Sequence, residues 1–300
     1  MNSTAWSTRV DLARVLLPYF QHLPGLEVYA LTGSTGRGWA DDLSDLEVLV
    51  SGSSLPTRPQ RNEVIAALGA EVSRQFDPPD GTFAVDNLHI RAFQVDVIYE
   101  TTASIEERVH RVAVEFDTTL RIQSLVSNLP DALAFRGGAK ADSWKESLAY
   151  GEDYRERAVC DHLRLLPPSG AVTHIERGDV LRFAQLLRSW HEMVFVVICA
   201  LNHRYFPGWK HSSEVLRRCP ISPPDLHTRL VAAQTSDPAA ALADAVVLIE
   251  ETLALVDEHL PEIDTGALRE RLAFPPRTRW TPAQIESVIR SFSLTDLAAE

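Results

Sequence analysis

Cysteine is scarce in this chain, with three in 300 residues, at Cys160, Cys199 and Cys219. Three cannot all pair, and their spacing matches no metal-ligating run, so neither a disulfide framework nor a thiolate metal site is expected. Cys199 falls in an apolar stretch and reads as a small core residue. A reduced, cytoplasmic setting follows from this usage. Positive charge is also short: 29 Lys and Arg against 41 Asp and Glu give a formal net charge of −12. That balance disfavours nucleic acid as a partner, because neutralisation of phosphates by basic side chains supplies most such affinity. It favours a cationic small molecule. Long apolar runs are missing too. The longest, Met193 to Leu201, is too short to span a bilayer. The N-terminus shows no charged-then-apolar signal pattern, so a soluble protein with no membrane partner is expected. Internal repeats and low-complexity tracts are absent. What remains is an ordinary globular mixture, 45% apolar and 23% charged, long enough for one large or two modest domains.

The most informative stretch runs from Leu31 to Val50. Val28 to Leu31 suit a strand, Gly33, Gly36 and Gly38 give a turn backbone freedom, and Asp45 to Val50 suit a second strand. Side chains alternate along a strand, so Asp45 and Glu47 project from one face and Leu46 and Val48 from the other. Two carboxylates side by side repel, and a shared divalent cation relieves the repulsion. All-oxygen ligands beside a turn that offers N–H groups suit Mg²⁺ carrying a nucleoside triphosphate.

Gly33-Ser34, the twelve positions from Gly33 to Asp45, and Asp45-Leu46-Glu47 within an apolar strand resemble the signature of the DNA polymerase β-like nucleotidyltransferase superfamily. Gly33-Ser-Thr-Gly-Arg37 and Ser44-Asp-Leu-Glu47 are most similar to its kanamycin- and aminoglycoside-modifying members. The resemblance implies a third carboxylate on a later strand, and Asp96 in Phe93-Gln-Val-Asp-Val-Ile-Tyr99 fits that place. It further implies two Mg²⁺ ions held by Asp45, Glu47 and Asp96, with Gly33, Ser34 and Arg37 on the triphosphate. The family more often has Asp where Glu47 stands. Lys210, after the aromatic turn Asn202 to Trp209, matches the place of a phosphate-contacting lysine. Glu192, in a long apolar helix, is placed as general base, with Glu146, Glu152 and Asp153 as competitors. Its simpler reading is a partner for Arg188, four residues earlier. Trp209, Tyr205 and Phe206 could stack on a base or pack in a core. His191, His203 and His211 form no metal-binding pattern.

Along the chain, helices are expected at Ser7 to Phe20 and Pro59 to Phe76, followed by a loop at Asp77 to Gly81. A hairpin follows, Thr82 to Val85 and Leu88 to Phe93 turning at Asp86-Asn87, and then the strand around Asp96. Further helices are expected from Ser104 to Glu115 and on to Ser127. Turn residues at 128–138 mark the domain boundary. Beyond it, helices are expected at Ala141 to Leu165, Asp179 to Leu201, Ser212 to Arg218, Leu226 to Ala233, Pro238 to His259 and Pro282 to Phe292. The fold class is therefore α/β followed by α: a nucleotidyltransferase-type mixed sheet flanked by helices over 1–130, then a C-terminal helical bundle over 131–300 that binds the acceptor. The expected activity is Mg²⁺-dependent transfer of a nucleoside monophosphate, AMP from ATP or its counterpart from another nucleoside triphosphate, to a hydroxyl of a small molecule, with release of pyrophosphate. An aminoglycoside-like or lincosamide-like antibiotic is the expected acceptor, making antibiotic resistance the expected role. The rival readings are transfer to tRNA or a protein side chain, and a nucleotide-binding regulator without chemistry. Monomer and homodimer are both compatible with the sequence.

Overall fold

The computed structural model describes residues 4–78, 81–276 and 279–296. Helix α1 (Thr4–Phe20) turns Val10, Ala13, Leu16 and Phe20 inward at helical spacing. Strand β1 (Leu26–Leu31) leads through a single helical turn, α2 (Gly33–Gly36), to β2 (Leu46–Gly52), which returns antiparallel. Helix α3 (Arg58–Leu68) opens on a reciprocal cap between Thr57 and Gln60, with Pro59 in its first turn. Then come β3 (Glu71–Phe76), β4 (Phe83–Ile90), β5 (Phe93–Thr101), α4 (Thr102–Ala113), α5 (Leu120–Val126) and β6 (Leu133–Arg136). The six strands form one mixed sheet in the order β3-β4-β5-β2-β1-β6, with β2 and β5 parallel and every other neighbour pair antiparallel.

Leu46, Val48 and Val50 of β2 and Val95, Val97 and Tyr99 of β5 are buried in one core with α1 and with Val64 and Ile65 of α3. Alternation therefore turns Glu47 and Asp96 to the opposite face of the sheet. After β6 the described chain is helical: α6 (Gly138–Ser147), α7 (Glu152–His162), α8 (Ser169–Glu176), α9 (Val180–Leu201), α10 (Ser212–Arg217), α11 (Leu226–Ala232), α12 (Pro238–His259), α13 (Gly266–Leu272) and α14 (Pro282–Asp296). A mixed sheet flanked by helices and followed by helices is thus the observed class.

The chain gathers into two compact units, 1–163 with 195–222, and 164–194 with 223–300. The expected division at 130/131 falls elsewhere, inside the first unit. There β6, which follows the expected boundary, pairs with β1 and closes that edge of the sheet. In the second unit, Leu248, Ile249, Leu253 and Val256 of α12 are buried, and Arg229 bridges Asp244 (2.8 Å) and Glu251 (2.5 Å). Among the described residues α9 alone is long and apolar enough to cross a membrane, and 72% of its most apolar window is buried inside the protein.

Several local expectations are corrected. The helix expected over 59–76 stops at Leu68, because Gly69 adopts a left-handed φ of +59° that caps it. Val72 and Phe76, which continue the helical spacing, are exposed residues of edge strand β3. The hairpin turns not at Asp86-Asn87 but at Arg91-Ala92, both at positive φ. Asp86 lies in mid-strand, fully buried against Arg61 at 3.5 Å. The single helix expected over 141–165 is two, α6 and α7, separated at Leu148 to Gly151. Of the loop expected at 77–81, Pro79 and Asp80 lie outside the described residues.

Candidate functional site

The glycine turn and the carboxylate strand are in direct contact. Gly33 has φ +59°, and a Cβ built on it would stand 1.2 Å from Glu47 Oε2. Only a residue without a side chain lets the Glu47 carboxylate lie against the turn. The two segments are also tied through the backbone, since the Thr32 N–H donates to the Glu47 carbonyl at 3.0 Å. The first N–H groups of a helical turn find no acceptor within it, which makes Gly33 to Thr35 the donors of α2.

Two side chains from α1 hold this arrangement. Trp6 donates from Nε1 to the Thr35 carbonyl at 2.8 Å, and the buried Arg9 donates from Nε to the Ser44 carbonyl at 2.9 Å, just before Asp45. Register places Glu47 beside Asp96 on the neighbouring parallel strand. Gln94, two residues before Asp96 and on the same face, donates from Nε2 to Asp96 Oδ1 at 3.1 Å and reaches Asp45 Oδ2 at 3.5 Å. Asp45, Glu47 and Asp96 are each half-buried. Lys210 stands 3.7 Å from Glu47 Oε1 through its Nζ.

A cavity of about 340 Å³ opens here, lined by Gly33, Ser34, Glu47, Ser124, Lys210 and His211 among others. His211 has positive φ, and burial, then the charges of Lys210 and Arg37, lower its pKa from the ordinary value. Arg37 reaches the same cavity with a side chain only 8% exposed, and donates to Ser127 Oγ at 2.9 Å. Burial lowers its pKa, against the pull of Asp131 and Glu47.

Gly33, Ser34, Arg37, Asp45, Glu47, Asp96 and Lys210 thus all belong to the first unit, whereas Glu192 belongs to the second. Lys210 lies just ahead of α10, which begins at Ser212 with His211 as its cap. Tyr205 and Phe206 are buried in a core, whereas Trp209 is half-buried, packs edge-on against Phe195 at 5.3 Å and lines the same cavity. Glu152, one of the competing bases, is engaged by Arg155 at 2.9 Å and His203 at 3.4 Å. Sequence reasoning missed Gln94, although its spacing of two from Asp96 was a usable signal. Trp6 and Arg9 act across about thirty positions and gave none.

The donor set matches a hard divalent cation in chemistry, being all oxygen and on one face. Among the described residues, no three Asp, Glu, His or Cys side chains converge closely enough to hold a metal ion. Gln94 and Lys210 take up the carboxylates instead. No family model matches the chain, and no curated protein matches it. Among solved structures, a nucleotidyltransferase-like protein from Exiguobacterium sibiricum 255-15 is similar at a TM-score of 0.31 and 13% identity, over 97% of this chain and 89% of that one. A likeness that slight carries no argument about the site.

Proposed function

We propose that the chain is a nucleotidyltransferase that moves a nucleoside monophosphate, AMP from ATP, to a hydroxyl of a small molecule. The observation that carries this reading is the contact of Gly33 with the Glu47 carboxylate, which sets a glycine turn rich in N–H donors against an acidic strand face. In the reaction the acceptor oxygen forms a bond to the α-phosphorus, the α–β phosphoanhydride bond breaks, and pyrophosphate leaves. The turn at Gly33 and Ser34 holds the triphosphate oxygens through N–H groups and a hydroxyl, and Arg37 and Lys210 offset its charge. Asp45, Glu47 and Asp96 would hold Mg²⁺, whose charge, when bound, offsets that developing on the phosphoryl oxygens. Holding it requires Gln94 and Lys210 to release the carboxylates. The hydroxyl proton passes to a carboxylate of the first unit, Asp96, and Asp96→Asn tests that role.

The acceptor expected from the sequence, an aminoglycoside-like or lincosamide-like antibiotic in a cytoplasmic setting, is the finer form of this proposal. The test is to incubate the protein with each triphosphate labelled at the α-phosphorus, Mg²⁺ and a panel of hydroxyl compounds including such antibiotics. Label should pass to one acceptor class with equimolar pyrophosphate. Retention of all label in triphosphate would sink the reading. One observation favours a second reading, a nucleotide-binding regulator without chemistry: among the described residues no three carboxylates converge, and Lys210 pairs with Glu47. Binding of ATP with no pyrophosphate released under any condition would select it.

A further inference from the structure

A second cavity of about 340 Å³ lies in the same unit, sharing only Arg37 and Pro207 with the first. Its charged lining is Arg37, Lys145 and Arg204, with His203, against one carboxylate, Asp131. In a chain of net charge −12, three permanent cations around one small space are a local reversal. The partners that would neutralise them are weak or missing. Asp131 stands 3.8 Å from Arg37 Nε, beyond hydrogen-bond distance. Among the described residues Lys145 reaches only Asp142, one helical turn away at 3.6 Å. Among the described residues no carboxylate pairs with the half-buried Arg204, whose charge adds to burial in lowering the pKa of Arg37.

Two guanidinium groups near each other with so little negative charge repel unless an anion joins them, and a guanidinium fork is shaped for oxyanions. The Arg37 side chain is more than nine-tenths buried and fixed by Ser127, so its charge is aimed and not free to swing into solvent. Trp39, Leu148 and Tyr205 complete the wall with apolar surface. Arg37 also lies across the Trp39 ring, 5.2 Å from its centre. The Tyr150 hydroxyl in the same wall is buried without a hydrogen-bond partner.

We propose that this cavity is an oxyanion site, for a phosphate- or carboxylate-bearing small molecule with an apolar body, distinct from the cavity assigned to the triphosphate. The site stands on its own lining, and only its distinctness from a triphosphate rests on the nucleotidyl-transfer reading. The acidic lining that a polycationic ligand needs is absent from this cavity.

The test titrates inorganic phosphate into the full chain by calorimetry, alone and with saturating ATP and Mg²⁺, for wild type, Arg204→Gln, Lys145→Gln and Lys210→Ala. Phosphate should bind wild type, bind at least tenfold more weakly to Arg204→Gln and Lys145→Gln, and bind Lys210→Ala as it does wild type. ATP should not displace it. Arg204→Gln should unfold no earlier than wild type in the absence of phosphate, since it removes a charge that repels Arg37, and should lose the phosphate-induced rise in midpoint. Unchanged phosphate affinity in Arg204→Gln overturns the site. Displacement by ATP, with a loss in Lys210→Ala, overturns its distinctness and makes it the end of the triphosphate cavity. Phosphate binding that depends on Arg204 in a protein that binds no ATP upholds the site and refutes the nucleotidyl-transfer reading alone.

Discussion

Gly33→Ala perturbs the turn and the carboxylate together, and a second glycine separates the two effects. Gly33 and Gly69 share a φ of +59°, but a Cβ at Gly69 meets nothing within 4 Å, whereas at Gly33 it meets Glu47 Oε2 at 1.2 Å. The backbone cost of alanine in this region is about 1–2 kcal/mol at either position. The clash at Gly33 is with the end of a flexible side chain, so Glu47 can turn away for a further cost of about 0.5–1.5 kcal/mol. Ordinary contact requires the carboxylate to retreat by about 2 Å, and a misplacement of about 1 Å can cost about 100-fold in rate. The two variants should therefore differ little in unfolding midpoint and at least about 100-fold in pyrophosphate release. Glu47→Asp shortens the side chain and should make the second change cheap, so Gly33→Ala added to Glu47→Asp should lower the rate far less than it does alone. Gly33→Ala with the activity of Gly69→Ala would show that the Gly33–Glu47 contact has no part in the reaction.

Three further outcomes follow from other parts of the molecule. Lys210→Ala removes a charge 3.7 Å from Glu47, and the apparent affinity for the triphosphate should fall about tenfold while that for the acceptor stays constant; unchanged triphosphate kinetics would return Lys210 to the surface. Arg61 is 1% exposed and is the ion partner of the fully buried Asp86, so Arg61→Gln should destabilise the first unit by about 3–5 kcal/mol in urea unfolding; a loss under about 1 kcal/mol would mean that Asp86 is already protonated. Burial lowers the pKa of His191 from 6.5 to about 4, against the pull of Asp244. The unfolded chain then binds a proton that the folded one refuses, so stability is full above about pH 6.5 and falls by roughly 3 kcal/mol on going to about pH 4. His191→Gln should remove that part of the acid slope, and an identical slope in both proteins would refute the assignment.

The site and its surroundings were not equally legible in the sequence. Alternation along the strand expected from Asp45 to Val50 placed Asp45 and Glu47 on one face, and the apolar neighbours of Asp96 placed it on a strand, because both signals are local and have a period of two. The segment after Gly69 misled for the same reason: Val72 and Phe76 extend a helical spacing that a single left-handed residue interrupts. Asp86-Asn87 has the composition of a turn, yet Asp86 is held in mid-strand by an arginine from α3, a partner 25 positions away. Distance in sequence also hid the roles of Trp6 and Arg9 in fixing the turn and the entry to β2. The separation of Glu192 from the other expected site residues arises where α9 passes from one unit to the other at 194/195, inside a continuous apolar helix with no turn residue to mark it.

The central claim is that Asp45, Glu47 and Asp96 carry nucleotidyl transfer, and it is tested most directly by substituting Asp45. With α-labelled triphosphate, Mg²⁺ and the acceptor found in the screen, Asp45→Asn should transfer label at less than about a hundredth of the wild-type rate, since a lost charge contact in such a transition state costs several kcal/mol. Its unfolding midpoint should stay level or rise, because one charge leaves a crowded acidic face. An Asp45→Asn protein that is folded and transfers label at more than about a tenth of the wild-type rate would contradict the account.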